Sequence, residues 1–81
     1  MVSLAYHVTE DGVVVPAYGV VTGVNLVNGT SVTLYEGDAT GKVIAHVEVE
    51  GEVTSLPDVD VKGPLYAVLV GAEAEAVIYV R

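Results

Sequence analysis

The sequence predicts an all-β fold: a single small antiparallel β-sandwich, jelly-roll or immunoglobulin-like, with seven to nine short strands. Three observations carry this. Apolar and polar residues alternate in several short segments, which is the period of a strand and not of a helix. Nine glycines and three prolines are spread over 81 residues, too many breaks for helices of useful length. Twenty residues are valine and none is Phe or Trp; valine is stiff at its first side-chain torsion and suits a pleated, half-buried surface. Without a tryptophan or a cysteine pair, the true immunoglobulin variety loses its usual core marks.

Strands are expected near 2–9, 13–16, 18–27, 31–36, 43–50, 52–56, 58–62, 64–70 and 73–81. In 31–36, Val32 and Leu34 fall on one face, with Ser31, Thr33 and Tyr35 on the other. In 43–50, Val43, Ala45, Val47 and Val49 read as the core face, opposite Ile44, His46, Glu48 and Glu50. In the last segment Ala74, Ala76, Ile78 and Val80 alternate with Glu73, Glu75, Val77 and Tyr79. The breaks have turn chemistry. Asn28-Gly29 tolerates positive φ and predicts a tight hairpin, Gly71-Ala72 does the same before the last strand, and Asp11-Gly12 ends the first. Pro57 and Pro64 cannot donate to a ladder and belong at strand starts or edges.

One domain, residues 1–81, accounts for the whole length, and a chain this short has a thin core. Residues 1–9 read as an N-terminal arm or an edge strand. As an arm, its removal is expected to weaken binding to a partner without unfolding the domain. With no cysteine, disulfides and thiolate metal sites are excluded, so support from other copies of the chain is expected. The mean hydropathy is +0.57 and the formal net charge is −8, from eleven acidic and three basic residues. That balance argues against nucleic acid, which needs clustered Lys and Arg, and against anionic membrane surfaces. It would suit a high-salt setting. No segment reads as a signal peptide or a membrane span, so the chain is expected to be soluble or part of an assembly.

Glu36-Gly37-Asp38-Ala39-Thr40-Gly41-Lys42 looks at first like a phosphate loop. Only three residues separate Gly37 from Gly41-Lys42, Val43 replaces the expected Ser or Thr, and a strand follows where a helix should begin. A strand–loop–strand turn is the better reading. The alternating carboxylates Glu48/Glu50, Asp58/Asp60 and Glu73/Glu75 read as solvated faces; an acid pair for glycoside hydrolysis would need a cleft that so short a chain is ill suited to build. A calcium site at Asp38 or Glu36 is a minority option. His46 lies on a polar face beside Glu48, with no serine or cysteine placed locally to use it as a base. Asn28-Gly29-Thr30 matches a glycosylation acceptor, but a turn explains it better. No cofactor, no metal and no catalytic residue is expected, and the chain is read as not an enzyme. The informative oddity is apolar residues on otherwise polar faces: Tyr35, Ile44, Val77 and Tyr79, joined by Tyr6 and His7 near the N-terminus. Such surfaces mark interfaces, where aromatic anchors are favoured; the competing reading is that these positions are the core and the strands face the opposite way.

Two stretches carry a family resemblance. Residues 18–42, from Tyr18 through Thr33-Leu34-Tyr35-Glu36-Gly37 to Gly41-Lys42, with the following Val43-Ile44-Ala45-His46, resemble the opening strands of small virion proteins of tailed phages. Lys62-Gly63-Pro64-Leu65-Tyr66-Ala67-Val68-Leu69-Val70 and Ala76-Val77-Ile78-Tyr79-Val80-Arg81 are similar to their closing pair of strands, although Gly-Pro-Leu stands where Gly-Leu would be usual. The resemblance covers roughly residues 18–81 and is one of strands and turns. It implies a non-enzymatic virion structural protein, a capsid decoration or cement subunit that binds and stabilises the outer surface of a tailed-virus head. Its partners would be the major capsid protein and other copies of itself, with a trimer favoured, and its place the capsid surface after synthesis in the host cytoplasm. The alternative is a tail or fibre accessory contacting host-surface glycans, with Tyr18, Tyr35 or Tyr66 as stacking platforms.

Overall fold

The computed structural model describes residues 4–15, 19–51 and 53–81. Among them are eight strands and no helix: β1 (Leu4–Val8), β2 (Gly12–Val15), β3 (Gly19–Asn28), β4 (Ser31–Glu36), β5 (Lys42–Val47), β6 (Val53–Val61), β7 (Leu65–Val70) and β8 (Glu75–Val80). They form two four-stranded antiparallel sheets, β1-β8-β3-β6 (sheet I) and β2-β7-β4-β5 (sheet II). The short dimension of the molecule, 17 Å, is that of two sheets about 10 Å apart with side chains on both outer faces.

The topology follows one rule. β1 pairs with β8, β2 with β7, β3 with β6 and β4 with β5. The chain behaves as one long hairpin, with its tip at residues 37–41, rolled up so that β3 also meets β8 and β4 also meets β7. A doubled strand rolled in this way is the jelly roll, one of the two sandwich types the alternation predicts. Only β4–β5 is a hairpin within one sheet; every other connection crosses between sheets.

That corrects the expectation of a tight hairpin at Asn28-Gly29. This turn, like Gly71-Ala72, carries the chain from one sheet to the other. The two corners lie against each other: Thr30 N donates to Val70 O at 2.8 Å. A Cβ on Gly29 would lie 2.7 Å from Ala74 Cβ, and one on Gly71 would lie 2.7 Å from Thr30 N. Both glycines have positive φ, 116° and 119°. They are required by the close approach of two backbones as much as by the turns themselves.

The core is aliphatic. Val21, Val24, Leu26, Val32, Leu34, Val47, Val61, Leu65, Ala67, Ala76, Ile78 and Val80 form one buried cluster drawn from both sheets. The predicted alternation holds in β4 and β8. It fails in β5, where the β4 register jumps from Leu34↔Ala45 to Tyr35↔Val43. Ile44 occupies this bulge and packs against the core, while Val43 turns outward. An extra residue in one strand shifts the facing of everything beyond it. The two strands expected at 52–56 and 58–62 are one, β6. Residues 56–58 face the single residue 22 across a register shift, so Pro57 sits where no ladder bond is asked of it.

Residues 4–8 are an edge strand, not an arm; Met1–Ser3 lie outside the described residues. Leu4 to Val8 pair in unbroken register with β8, and Tyr6 and Val8 pack against the core. Deleting residues 1–9 is therefore expected to uncover that side of the core and destabilise the domain, not merely weaken binding. A thermal melt unchanged by the deletion would contradict this placement.

Candidate functional site

The outer face of sheet II is the most distinctive surface of the molecule. Residues directly opposite in an antiparallel ladder share a face, and Leu34 and Ala67 point into the core. The neighbouring positions therefore point out. Their register gives one row across all four strands: Val13, Tyr66, Tyr35 and Val43. One step of the pleat away, about 6.6–7 Å, lies a second row of Val68, Thr33 and His46. Beyond it Val70 pairs with Ser31. Val13, Val43 and Val70 are half exposed, at 55%, 54% and 50%. None of these positions is Asp, Glu, Lys or Arg, in a chain with eleven acids.

The acids are used elsewhere. Glu36 accepts Lys62 N at 3.0 Å, Glu50 accepts Gly29 N at 3.0 Å, Asp11 accepts Leu69 N at 2.7 Å, and Asp38 accepts Thr40 N at 2.9 Å. Each satisfies an amide in a loop or at a strand end, and a charged acceptor makes the stronger bond. Glu75 sits on the outer face of sheet I and meets His7 at 2.8 Å. These carboxylates thus occupy the ends of the sandwich and the other face. On the outer face of sheet II, among the described residues, only Glu48, beside His46 at its margin, brings a charge, and the Val13–Tyr66–Tyr35–Val43 row carries none.

One polar chain, ending in that carboxylate, runs beside the uncharged row. His46 Nε2 lies 2.8 Å from Glu48 Oε1, and Thr33 Oγ1 lies 2.6 Å from His46 Nδ1. A carboxylate can only accept, so Nε2 carries the proton, and in the neutral ring Nδ1 accepts from the Thr33 hydroxyl. Hydroxyl, imidazole and carboxylate stand in the order of a nucleophilic relay, and the threonine from a neighbouring strand is the partner that local sequence did not supply. The setting differs from that of a catalytic relay. The His46 and Glu48 side chains are 47% and 71% exposed, and β4, paired on both sides, commits its amides to ladders where an oxyanion hole would need free donors. Chemically, the arrangement orients the imidazole and ties β4 to β5 beside the two tyrosines.

The six residues expected at an interface do not form one patch. Tyr35 belongs to the sheet II row. His7, Val77 and Tyr79 lie on the outer face of sheet I, with His7 opposite Val77 and Tyr79 opposite Ala5 and Gly23. Tyr6 and Ile44 point inward against the core, which corrects their expected exposure: Tyr6 alternates with His7 in an edge strand, and Ile44 is turned by the bulge. Val13 and Val43 are the members that sequence reading missed, and Tyr66 was expected only as a glycan-stacking platform. Tyr18 lies outside the described residues.

The other expected chemistry is dispersed. Glu48 and Glu50 serve His46 and Gly29 separately, Glu73 sits in the β7–β8 turn with φ 54°, and the side chain of Asp58 lies outside the described set. Among the described residues no group of three metal-ligating side chains gathers. The Glu36–Lys42 loop closes on itself: Asp38 Oδ1 accepts the Thr40 hydroxyl at 2.6 Å as well as the Thr40 amide, and Gly41 N donates to Asp38 O at 2.9 Å. The Thr40 and Gly41 amides that a phosphate loop would offer, and the Asp38 Oδ1 that a calcium ion would use, are occupied by the turn.

The Thr40 hydroxyl, and then the Thr40 amide, hold the Asp38 carboxyl below the usual carboxylate range. Because the folded value is depressed, the loop's contribution is complete above the unfolded value of about 3.9. It is lost as pH falls through the folded one. Carbon NMR titration should place Asp38 below an ordinary aspartate, and Thr40→Val should move it back up; an unmoved midpoint would contradict the assignment.

The fold and this face define a small jelly-roll domain with an uncharged, tyrosine-bearing row across one outer face. No protein-family model, no curated protein and no solved structure matches the chain.

Proposed function

We propose that this chain is a non-enzymatic structural subunit of a virion, of the capsid decoration or cement kind, binding the outer surface of a tailed-virus head. The observation that carries the reading is the neutral row Val13–Tyr66–Tyr35–Val43, spanning sheet II from edge to edge. Such a surface can be covered without stripping water from a charge, the main cost of burying a polar face. Its centre is aromatic, the residue type enriched at interface cores. The carboxylates surround it and keep the free subunit soluble. The phage-like pattern of residues 18–81 supplies the class of particle, with the major capsid protein as partner.

A second reading rests on a different use of the same residues. Tyr35 and Tyr66 are direct cross-strand neighbours, with the Thr33–His46–Glu48 hydrogen bonds alongside, and aromatic rings beside polar groups suit the apolar and hydroxyl faces of a sugar. This favours a tail or fibre accessory contacting glycans. Fractionation separates the two. Tagged protein expressed during particle assembly should travel with purified heads in a gradient. Recovery with tails, together with glycan-array binding that Tyr66→Ala abolishes, would replace the first reading by the second.

A further inference from the structure

The sandwich has four sheet edges, and three carry features that discourage another strand from adding. A free edge offers unpaired amides and carbonyls, and natural sheets blunt it with proline, charge, bulges or short length. β6 contains Pro57 within its register shift, and Asp58 and Asp60 as well. β2 has four residues and a shift between Val13 and Val15. β5 has the bulge at Ile44 and begins at Lys42. β1, five residues long, lacks the others: Leu-Ala-Tyr-His-Val contains no proline and no Asp, Glu, Lys or Arg, and its five pairs with β8 run without a shift. Leu4 at its start is 58% exposed, the largest value among the described exposed large hydrophobic residues. Tyr6 and Val8 are only partly covered, and beside them a groove of about 390 Å3 runs from Tyr6 to Val14.

We infer that β1 is a self-association edge: it pairs antiparallel with β1 of a second copy across a two-fold axis at Tyr6. The occupant follows from register and charge. Centred on Tyr6, the pairing sets Leu4 opposite Val8 and Ala5 opposite His7. It joins the two sheets I into one eight-stranded sheet and continues the inward row of Leu4, Tyr6 and Val8 across the axis. No like charges meet in the ladder, where opposed like charges would be destabilising. This holds although each copy carries a net charge of −8. A two-fold contact of this kind is self-complementary and closes at the dimer. The remaining repulsion is between whole copies, so the dimer is stabilised by salt, which screens charges beyond roughly 8–10 Å at physiological strength. A basic extended peptide on the same edge, drawn by the neighbouring acids Glu10, Asp11 and Glu75, would show the opposite salt dependence. The inference concerns a different surface from the proposed head-binding face and does not depend on it.

Cysteine substitution tests the register, because the chain has no cysteine of its own. Ala5→Cys and His7→Cys are prepared separately, mixed in equal amounts and oxidised mildly. In the inferred ladder the thiol introduced at position 5 of one copy faces the thiol introduced at position 7 of the other. Their Cα separation is about 4.5–5.5 Å, within disulfide reach. Like positions lie on the diagonal, about 7–8 Å apart, beyond that reach. A disulfide dimer should form in the mixture and not in either variant alone. Sedimentation of the wild-type protein should show a dimer fraction that grows from low to roughly 0.5 M salt. A monomer at all salt concentrations, or equal cross-linking of each variant alone, would overturn the inference.

Discussion

Replacing Ile78 with alanine should lower stability by about 2–5 kcal/mol, the range for truncating a buried isoleucine or leucine. Ile78 is fully buried in a strand paired on both sides, with Tyr6 on β1 and Val24 on β3 as its register partners. It is the largest buried side chain that β8 offers the core, whose other fully enclosed members are valine, leucine and alanine. A domain of this length has a total stability of roughly 4–12 kcal/mol, so the variant should forfeit a large fraction of it. The thermal midpoint should fall by at least ~10 °C. A fall of less than ~4 °C, under about 1 kcal/mol for a small domain, would show that Ile78 is not a central core residue.

Gly41→Ala should also be strongly damaging, costing on the order of 1–3 kcal/mol through forced backbone displacement. A Cβ at Gly41 would collide with the carbonyl oxygen of Glu36 and crowd Asp38 O at 3.2 Å. Both obstacles are backbone, so no side-chain rotation relieves them. The position closes the only within-sheet hairpin among the described strands, at the tip of the rolled strand pair, and fixes Glu36 opposite Lys42. Gly63→Ala is the control. Nothing lies within 4 Å of its Cβ position, and the lost freedom of the unfolded chain should leave stability equal or raised by about 0.4–1 kcal/mol. Equal denaturation midpoints for the two variants would contradict the close packing at the tip.

Strand positions were legible in the sequence because burial of one face imposes a period of two; β8 shows it without interruption, and β4 departs from it only at Ser31, which is buried on the outward-facing side. Facing failed where the backbone inserts a residue. The bulge at Ile44 exchanges the roles of Val43 and Ile44, and nothing in Val-Ile-Ala announces it, since each of those residues is acceptable on either face. Pro57 signalled a break but marks a bulge inside an edge strand. Asn28-Gly29 signalled a reversal correctly, yet positive φ does not reveal whether the chain returns to the same sheet or crosses to the other. The proposed binding face was legible only in part for the same reason. Alternation placed Tyr35 outside β4, but its row partners Val13, Tyr66 and Val43 come from other strands, two of them far away in sequence, and only topology brings them side by side. His46 was recognisable beside Glu48 on its own strand; its third partner, Thr33, required knowledge of the β4–β5 register.

The most direct test of the proposed function is a charge placed at the end of the neutral row. Val43→Glu and, on the other sheet, Val27→Glu both alter exposed valines, at 54% and 39% exposure, so both variants should melt within about 0.5 kcal/mol of the parent. Burying an unpaired carboxylate in a contact costs several kcal/mol, at least ~100-fold in affinity. Occupancy on purified particles, measured by mass spectrometry against the major capsid protein, should therefore collapse for Val43→Glu and stay at the parent level for Val27→Glu. Parent-level occupancy of folded Val43→Glu would contradict the assignment of sheet II as the head-binding face.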